Sequence, residues 1–506
     1  MSTKWETKVS DLPTRFTTWL RRDAAADFGA SLVVFLVAVP LCVGVAVASG
    51  APAELGIVTG IVGGLGVGLL PGSTMQVSGP SPAPAVLVAE AVSRHGLAAL
   101  GVIVLGAGLL QVLMGLLRLG RWFQAISPSV VRGMLAGIGL VLLLGQLYPF
   151  FGAAQPKNIV GKLAGLPGLV TGALDRWSVA ASALIGVLTL LVLVAWQRMP
   201  AKLRQVPGAL AAVVVTATVV AVAGLPVATV QVGGLGAVIS PPDMGQWSLF
   251  TDPAVLGTII TFALVASAES MFSAAAVDRL HTGPATRYNT ELAAQGAGNV
   301  VSGALGALPV TAVIVRSAAN VQAGARTKAS RVLHGVWLLL FAVFLPELLA
   351  LVPLPTLAAL LAHAGWKLLN LRELVPLLRT QRVEGAIVLL TAGSIAAIDL
   401  LTGVIIGLLA AIAKTAWDVS RLSVKWHHVG DRVCVRLGGI ATFLRLPRLL
   451  AALHAVPDAR RVELDLSELR HLDDACRQAV ESWAEQRRRS NTEVDLSLPE
   501  RVSVSG

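Results

Sequence analysis

Apolar stretches recur from about residue 28 to about residue 417, separated by short polar or basic connections. They lie at 28–50, 54–70, 79–93, 97–117, 130–150, 178–196, 206–223, 254–277, 289–303, 309–322, 332–350, 351–364, 384–398 and 401–417. Crossing ~30 Å of hydrocarbon takes ~20 apolar residues, so several of these about fourteen elements are too short to span alone. After about residue 425 the period changes. "DRVCVRLGG", "RVELDLSEL" and "TEVDLSL" alternate like strands, whereas "PRLLAALHAV" and "DDACRQAVESWAEQRRRS" follow a helical period. The pattern predicts a polytopic helical membrane protein that ends in a small α/β domain with a mixed sheet.

Composition agrees with that class. The chain has 506 residues, 55% of them hydrophobic and 14% charged, more apolar surface than a soluble fold of this size can hide. The formal charge of +11 invites a nucleic-acid reading, but the Lys and Arg residues sit between apolar spans, where topology signals belong. With Lys4, Lys8, Arg15, Arg21 and Arg22 on the cytoplasmic side, alternate connections carry Arg118 and Arg121, Arg198, Lys202 and Arg204, Arg279 and Arg287, and so on to Arg421 and Lys425. The intervening connections are poor in Lys and Arg, apart from the long 152–177 stretch. An even number of spans places the segment after 425 in the cytoplasm with the N-terminus. Cys42, Cys434 and Cys476 have no CxxC spacing, so neither a disulfide framework nor a metal site is expected, and His281, His334 and His363 share no ligand spacing. The polar first ~25 residues lead into no short apolar core with a cleavage site, and no removable signal peptide is expected.

Two short elements stand out. The third and the tenth begin at Gly/Pro-rich breaks, "VSGPSPAPAV" (77–86) and "GALPVTAV" (306–313), at matching positions if the chain is two inverted repeats of seven. Such paired interruptions point to a transporter's binding site. Two half-helices meeting head to head gather unpaired N–H groups and positive dipole ends at mid-membrane, which suits an anion. Around the breaks, Ser78, Gly79, Ser81, Pro82 and Ala83 on one side, and Val310, Thr311 and Ala312 on the other, are candidate substrate contacts. Prolines 80, 82 and 84 remove donors from the first tip. Arg316 follows Pro309 by seven residues, ~10 Å along a helix, where it either adds positive field or pairs with a carboxylate. Glu269, deep in the apolar eighth element, carries a proton, binds a cation or meets Arg316. Glu90 and Asp399 are expected at the solvated interface.

"DFGASLVVFLVAVPLCVGVAVASG", "VSGPSPAPAV", "SAESMFSAAAVDRL" and "LPVTAVIVRSAANVQAGARTKASRVLHG" together resemble the SulP family of anion transporters, related to prestin-like solute carriers. "DLSELRHLDDACRQ" resembles the STAS domain that closes most of its chains. The resemblance implies 7+7 inverted repeats divided into core and gate domains, with residues 1–25 a cytoplasmic segment, 26–420 the transporter and 425–506 the STAS domain. It implies an anion held between the third and tenth helices, elevator movement, and coupling to Na+, H+ or a counter-anion, with no other cofactor. It also implies a homodimer in the cell (inner or plasma) membrane.

In the resemblance, Glu269 and Ser273 match coupling-ion positions. The family's remaining sodium ligands, Gly and Thr, fall on Ala312 and Ile314, and Ile314 has no side-chain oxygen, which favours proton coupling or exchange. The phosphorylatable serine of signalling relatives is missing from Asp473-Asp474-Ala475. The reading is therefore a secondary transporter of a small inorganic anion, bicarbonate or sulfate first, and not an enzyme. The alternatives are a proton-coupled dicarboxylate or nucleobase permease of the same fold, and a STAS-based membrane signalling protein.

Overall fold

The computed structural model describes residues 22–125, 127–156, 159–200, 203, 206–430, 432–457 and 459–497. Lys4, Lys8, Arg15, Arg21, Lys202 and Arg204, and most of the 1–25 segment, lie outside them. The chain divides into two compact units, one ending at Gly407 and one beginning at Leu408.

The first unit is helical. Its first seven major helices are α1 (Ala24–Ala48), α2 (Ala53–Ile61, continued by a π-helical turn Val62–Val67), α3 (Pro82–His95), α4 (Leu97–Leu116), α5 (Pro128–Phe150), α6 (Trp177–Trp196) and α7 (Gly208–Ala223). The next seven are α8 (Pro253–Asp278), α9 (Tyr288–Ala304), α10 (Ile314–Gln322), α11 (Ala329–Phe344), α12 (Leu354–Leu369), α13 (Arg382–Ala397) and α14 (Leu400–Val419), the last of which runs on into the second unit. These helices fall on the apolar segments of the sequence. The largest shift of a helix start is at α10, which begins five residues after the apolar run does. Among the described residues, α1, α4, α5, α6, α8 and α14 are long and apolar enough to cross a membrane. Short helices the pattern did not predict occupy Ile159–Ala164, Leu166–Asp175, Leu235–Val238 and Leu371–Thr380.

Lipid tails give helices no hydrophobic reason to associate, so close contact must come from small residues that let backbones approach. Helices α4 and α9 meet this way. A Cβ added at Gly108 would lie 2.5 Å from the Val300 amide nitrogen, and one at Gly303 would lie 2.3 Å from the Leu105 nitrogen. Gly101, Gly108 and Gly115 recur every seventh position on α4, where Gly101 faces Gly303 and Gly108 faces Gly296 of α9, also seven apart, and Gly115 faces Ala293.

The second unit holds a four-stranded sheet in the order β3 (Leu422–Val429), β4 (Arg432–Ala441), β5 (Arg461–Leu472) and β6 (Glu493–Ser497), with helices α15 (Leu446–His454) and α16 (Asp474–Arg489). Strands β3 and β4 are antiparallel, while β4–β5 and β5–β6 are parallel. Val433, Val435, Val462, Leu464, Leu453, Val480 and Trp483 fill its core. Strand β3 was missed in the sequence because most of its residues are exposed and its alternation is weak. Asp473 caps α16, its carboxylate accepting from the Cys476 amide at 2.9 Å and also from the Phe443 amide.

Candidate functional site

Extended backbone inside a membrane is tolerated only where protein satisfies its N–H and C=O groups. The two Gly/Pro breaks solve this jointly. Ser78–Gly79 (β1) pairs antiparallel with Thr311–Ala312 (β2), Ser78 opposite Ala312 and Gly79 opposite Thr311. The Val313 amide donates to the Val77 carbonyl at 3.0 Å. Side chains satisfy the remainder. Asn299 of α9 accepts from the Val310 amide (2.6 Å) and donates to the Val310 carbonyl (3.0 Å), taking the place of a third strand. Ser270 of α8 accepts from the Ala312 amide (3.2 Å), and Ser273 donates to the Ala312 carbonyl (2.9 Å). Thr59 of α2 and Ser302 of α9 hold the Leu308 backbone. Ser317 and Asn320 of α10 hold Val77 and Met75. The π-turn of α2 brings Gly63 against this ribbon, where an added Cβ would lie 2.4 Å from the Ser78 carbonyl oxygen.

Leaving the ribbon, the chain starts the two half-helices. Ser81 stands at the N-cap position of α3 in an extended conformation without a side-chain cap bond, and Pro82 and Pro84 lack N–H groups. The Ala85 amide already donates to the Ser81 carbonyl, so Ala83 is the donor left in that first turn. In α10 the first closed bond runs from the Ser317 amide to the Val313 carbonyl, and the amides of Ile314, Val315 and Arg316 precede it. Ile314 and Val315 are exposed, at 39% and 56%. The α10 tip is thus the richer in donors, and each N-terminus adds the equivalent of roughly half a positive charge.

Glu269 of α8 joins the two tips. Its Oε1 accepts from the Ser81 hydroxyl, so Ser81 gives its proton to Glu269 while its oxygen leaves its own helix uncapped. The Glu269 carboxyl also adjoins Thr311, yet Oε2 and the Thr311 hydroxyl oxygen make no hydrogen bond among the described residues. Arg316 is fully buried. It donates through Nη2 to the Pro80 carbonyl at 3.1 Å, while Nε and Nη1 have no hydrogen-bond partner and no carboxylate lies within 4 Å among the described residues. Cys42 and His334 adjoin the guanidinium, and Gly79 leaves room for it: a Cβ there would lie 2.3 Å from Nη1.

The sequence candidates therefore divide in two. Ser78, Val310, Ala312 and Ser273 hold the ribbon, Ser78 by accepting from Gln295 at 2.7 Å. Ser81, Pro82, Ala83, Thr311 and Glu269 stand at the tips, with Gly79 and Arg316 directly behind. One expectation is corrected. Arg316 is not ~10 Å along a helix from its start but the third residue of α10, because 309–313 is drawn out of the helix to pair with β1. Ile314 and Val315, Asn299, Ser270, Thr59, Ser302, Ser317 and Asn320 were missed. Polar residues inside apolar spans were the available signal.

The sulfate permease family profile matches residues 25–391. YvdB of Bacillus subtilis (strain 168), which carries a sulfate-transporter name, is 30% identical over 78% of this chain and 74% of its own. The bicarbonate transporter BicA of a Picosynechococcus species is 27% identical over 81% of this chain and 73% of its own. The solved structure of SLC26A9 has the same fold, with a TM-score of 0.75 at 16% identity over 98% of this chain and 88% of that one. A profile match this extensive, together with relatives at this identity, means that the chain belongs to the sulfate permease family, whose members are membrane transporters and not enzymes.

Proposed function

We propose that the chain is a secondary active transporter of a small inorganic oxyanion, sulfate or bicarbonate, bound at the facing N-termini of α3 and α10. The observation that carries this reading is the β1–β2 ribbon, which presents both half-helix tips with the Arg316 charge buried behind them and unpaired by any carboxylate among the described residues. An anion leaving water there meets amides, two dipole ends and a guanidinium field, all of which are fixed before it arrives. The helices α1–α7 and α8–α14 form two inverted repeats, and a core domain carrying the tips moves as an elevator against a gate. The protein sits in the cell membrane as a homodimer, with the N-terminus and a STAS domain from about residue 425 in the cytoplasm.

Proton coupling is favoured over sodium. Ile314 offers no side-chain oxygen, so one of the expected sodium ligands is missing. Glu269 keeps an oxygen without a hydrogen-bond partner among the described residues beside the site, where a proton carried with the anion offsets one unit of its buried charge. Labelled sulfate and bicarbonate uptake into proteoliposomes tests this. A pH gradient should drive uptake and a Na+ gradient should not. Glu269→Gln should remove the pH-driven component, and Arg316→Ala should cut uptake by about tenfold or more. Unchanged uptake in both variants would sink the site assignment.

A further inference from the structure

A cavity of about 860 Å³ lies between the outer half of α3, the end of α1, α5, the short helix Ile159–Ala164 and the α13–α14 connection. Its lining begins at Ala85, three residues from the start of α3, or about 4.5 Å at ~1.5 Å per residue, and continues to Arg94 near the helix end. It therefore runs alongside α3, from one turn beyond the half-helix tip to near the helix end. Glu90 and Asp399, read from sequence as separate interfacial residues, both line it.

The charges in this cavity are not equivalent. Glu90 is paired with Arg94 at 2.6 Å. Asp399 accepts from the Thr402 amide (2.8 Å) and hydroxyl (2.7 Å) at the start of α14. Lys162 has neither an ion-pair nor a hydrogen-bond partner for its ammonium among the described residues, and it is only half buried. Its position is nevertheless fixed. The Tyr148 hydroxyl of α5 donates to the Lys162 carbonyl at 2.6 Å, anchoring the short helix. The Lys162 ammonium lies over Gly145 of α5, where an added Cβ would make an ordinary contact of 3.4 Å with Nζ.

We infer that Lys162 is an outer recruiting subsite for the transported oxyanion, holding it briefly by charge before it passes along α3 to the helix tips. This rests on the transport reading and on the topology that puts the α3 end outside. A partly solvated ammonium attracts any small anion within a screening length and releases it readily, which is what an entry site requires. Its loss acts on capture, not on the translocation step.

The test is initial-rate uptake of labelled sulfate and bicarbonate by intact cells, normalised to the amount of transporter in the membrane. Lys162→Gln should raise KM about threefold to tenfold with Vmax within twofold, and Lys162→Arg should restore KM. Raising ionic strength should raise the wild-type KM more than that of Lys162→Gln. An unchanged KM in Lys162→Gln, a fall in Vmax alone, or a Lys162→Arg variant as impaired as Lys162→Gln would overturn the subsite while leaving the transport reading intact. A wild-type protein that takes up neither anion would overturn the transport reading, and the subsite with it.

Discussion

At the scale of single residues, the site depends on what is absent as much as on what is present. Gly79 sits opposite Thr311 in the ribbon, and its missing Cβ is the space that Arg316 Nη1 occupies. Gly79→Ala would force the guanidinium to shift, and a shift strains its bond to the Pro80 carbonyl. That carbonyl is in a membrane interior, where an unsatisfied acceptor costs about 1–3 kcal/mol. The expected outcome is uptake reduced by about tenfold or more with the protein still folded, checked by proteoliposome flux alongside a thermal melt. Uptake equal to wild type would mean that Arg316 has room to reposition and does not hold the ribbon. Arg316, Glu269 and Ser81 were legible in the sequence because a charged or hydroxyl group among apolar residues is conspicuous. The identity of the actual tip amides was not, because Ile314 and Val315 look like ordinary lipid-facing residues until β2 is seen to delay the helix.

At the scale of elements, the helices were readable because length and hydrophobicity are local properties. Their close contacts were not, because those depend on which glycine rows face each other. Segments 97–117 and 289–303 read simply as two spans, yet α4 and α9 approach so closely that backbone meets backbone at Gly108, Gly296 and Gly303. This pair also positions Asn299, which replaces a strand for Val310, so the packing sets the register of β2. The prediction is a contrast between two glycines. Gly108→Ala places a methyl 2.5 Å from a backbone nitrogen of α9, and overpacking of that kind costs about 1–3 kcal/mol. Gly257→Ala on α8 meets nothing within 4 Å and replaces a poor helix former with a good one. Gly108→Ala should lower the melting temperature and the yield of monodisperse protein, while Gly257→Ala should leave both unchanged or raised. Equal behaviour would remove the α4–α9 contact as the determinant. Strand β3 shows the opposite limit of the sequence, since a mostly exposed strand leaves no hydrophobic alternation to read.

At the scale of the whole molecule, the chain carries two cores: helices packed on one another up to Gly407, with glycine rows at their closest approach, and aliphatic side chains between sheet and helices after it. The second core is self-contained. Strands β3–β6 with α15 and α16 close around Val435, Leu464 and Trp483, and Asp473 both caps α16 and holds the Phe443 amide. A fragment of residues 420–506 should therefore be soluble and fold alone, and its two thiols report whether it does. Burial, with the adjacent Asp473 carboxylate adding to it, pushes the Cys476 thiol from an ordinary value of 9.0 up to about 12, whereas Cys434 lies on the accessible face of β4. At pH 9 about one Cys476 in a thousand is thiolate, so maleimide should label the folded fragment once, at Cys434, and urea should add the second label. Because the folded value lies above the unfolded one, this thiol favours the folded state below pH 9. The contribution is lost as pH rises towards 12, so the urea midpoint should fall over that range. Two labels per chain at pH 9 without urea would mean that the second unit does not hold its core unaided. The midpoint shift would then have to be sought in the full-length protein.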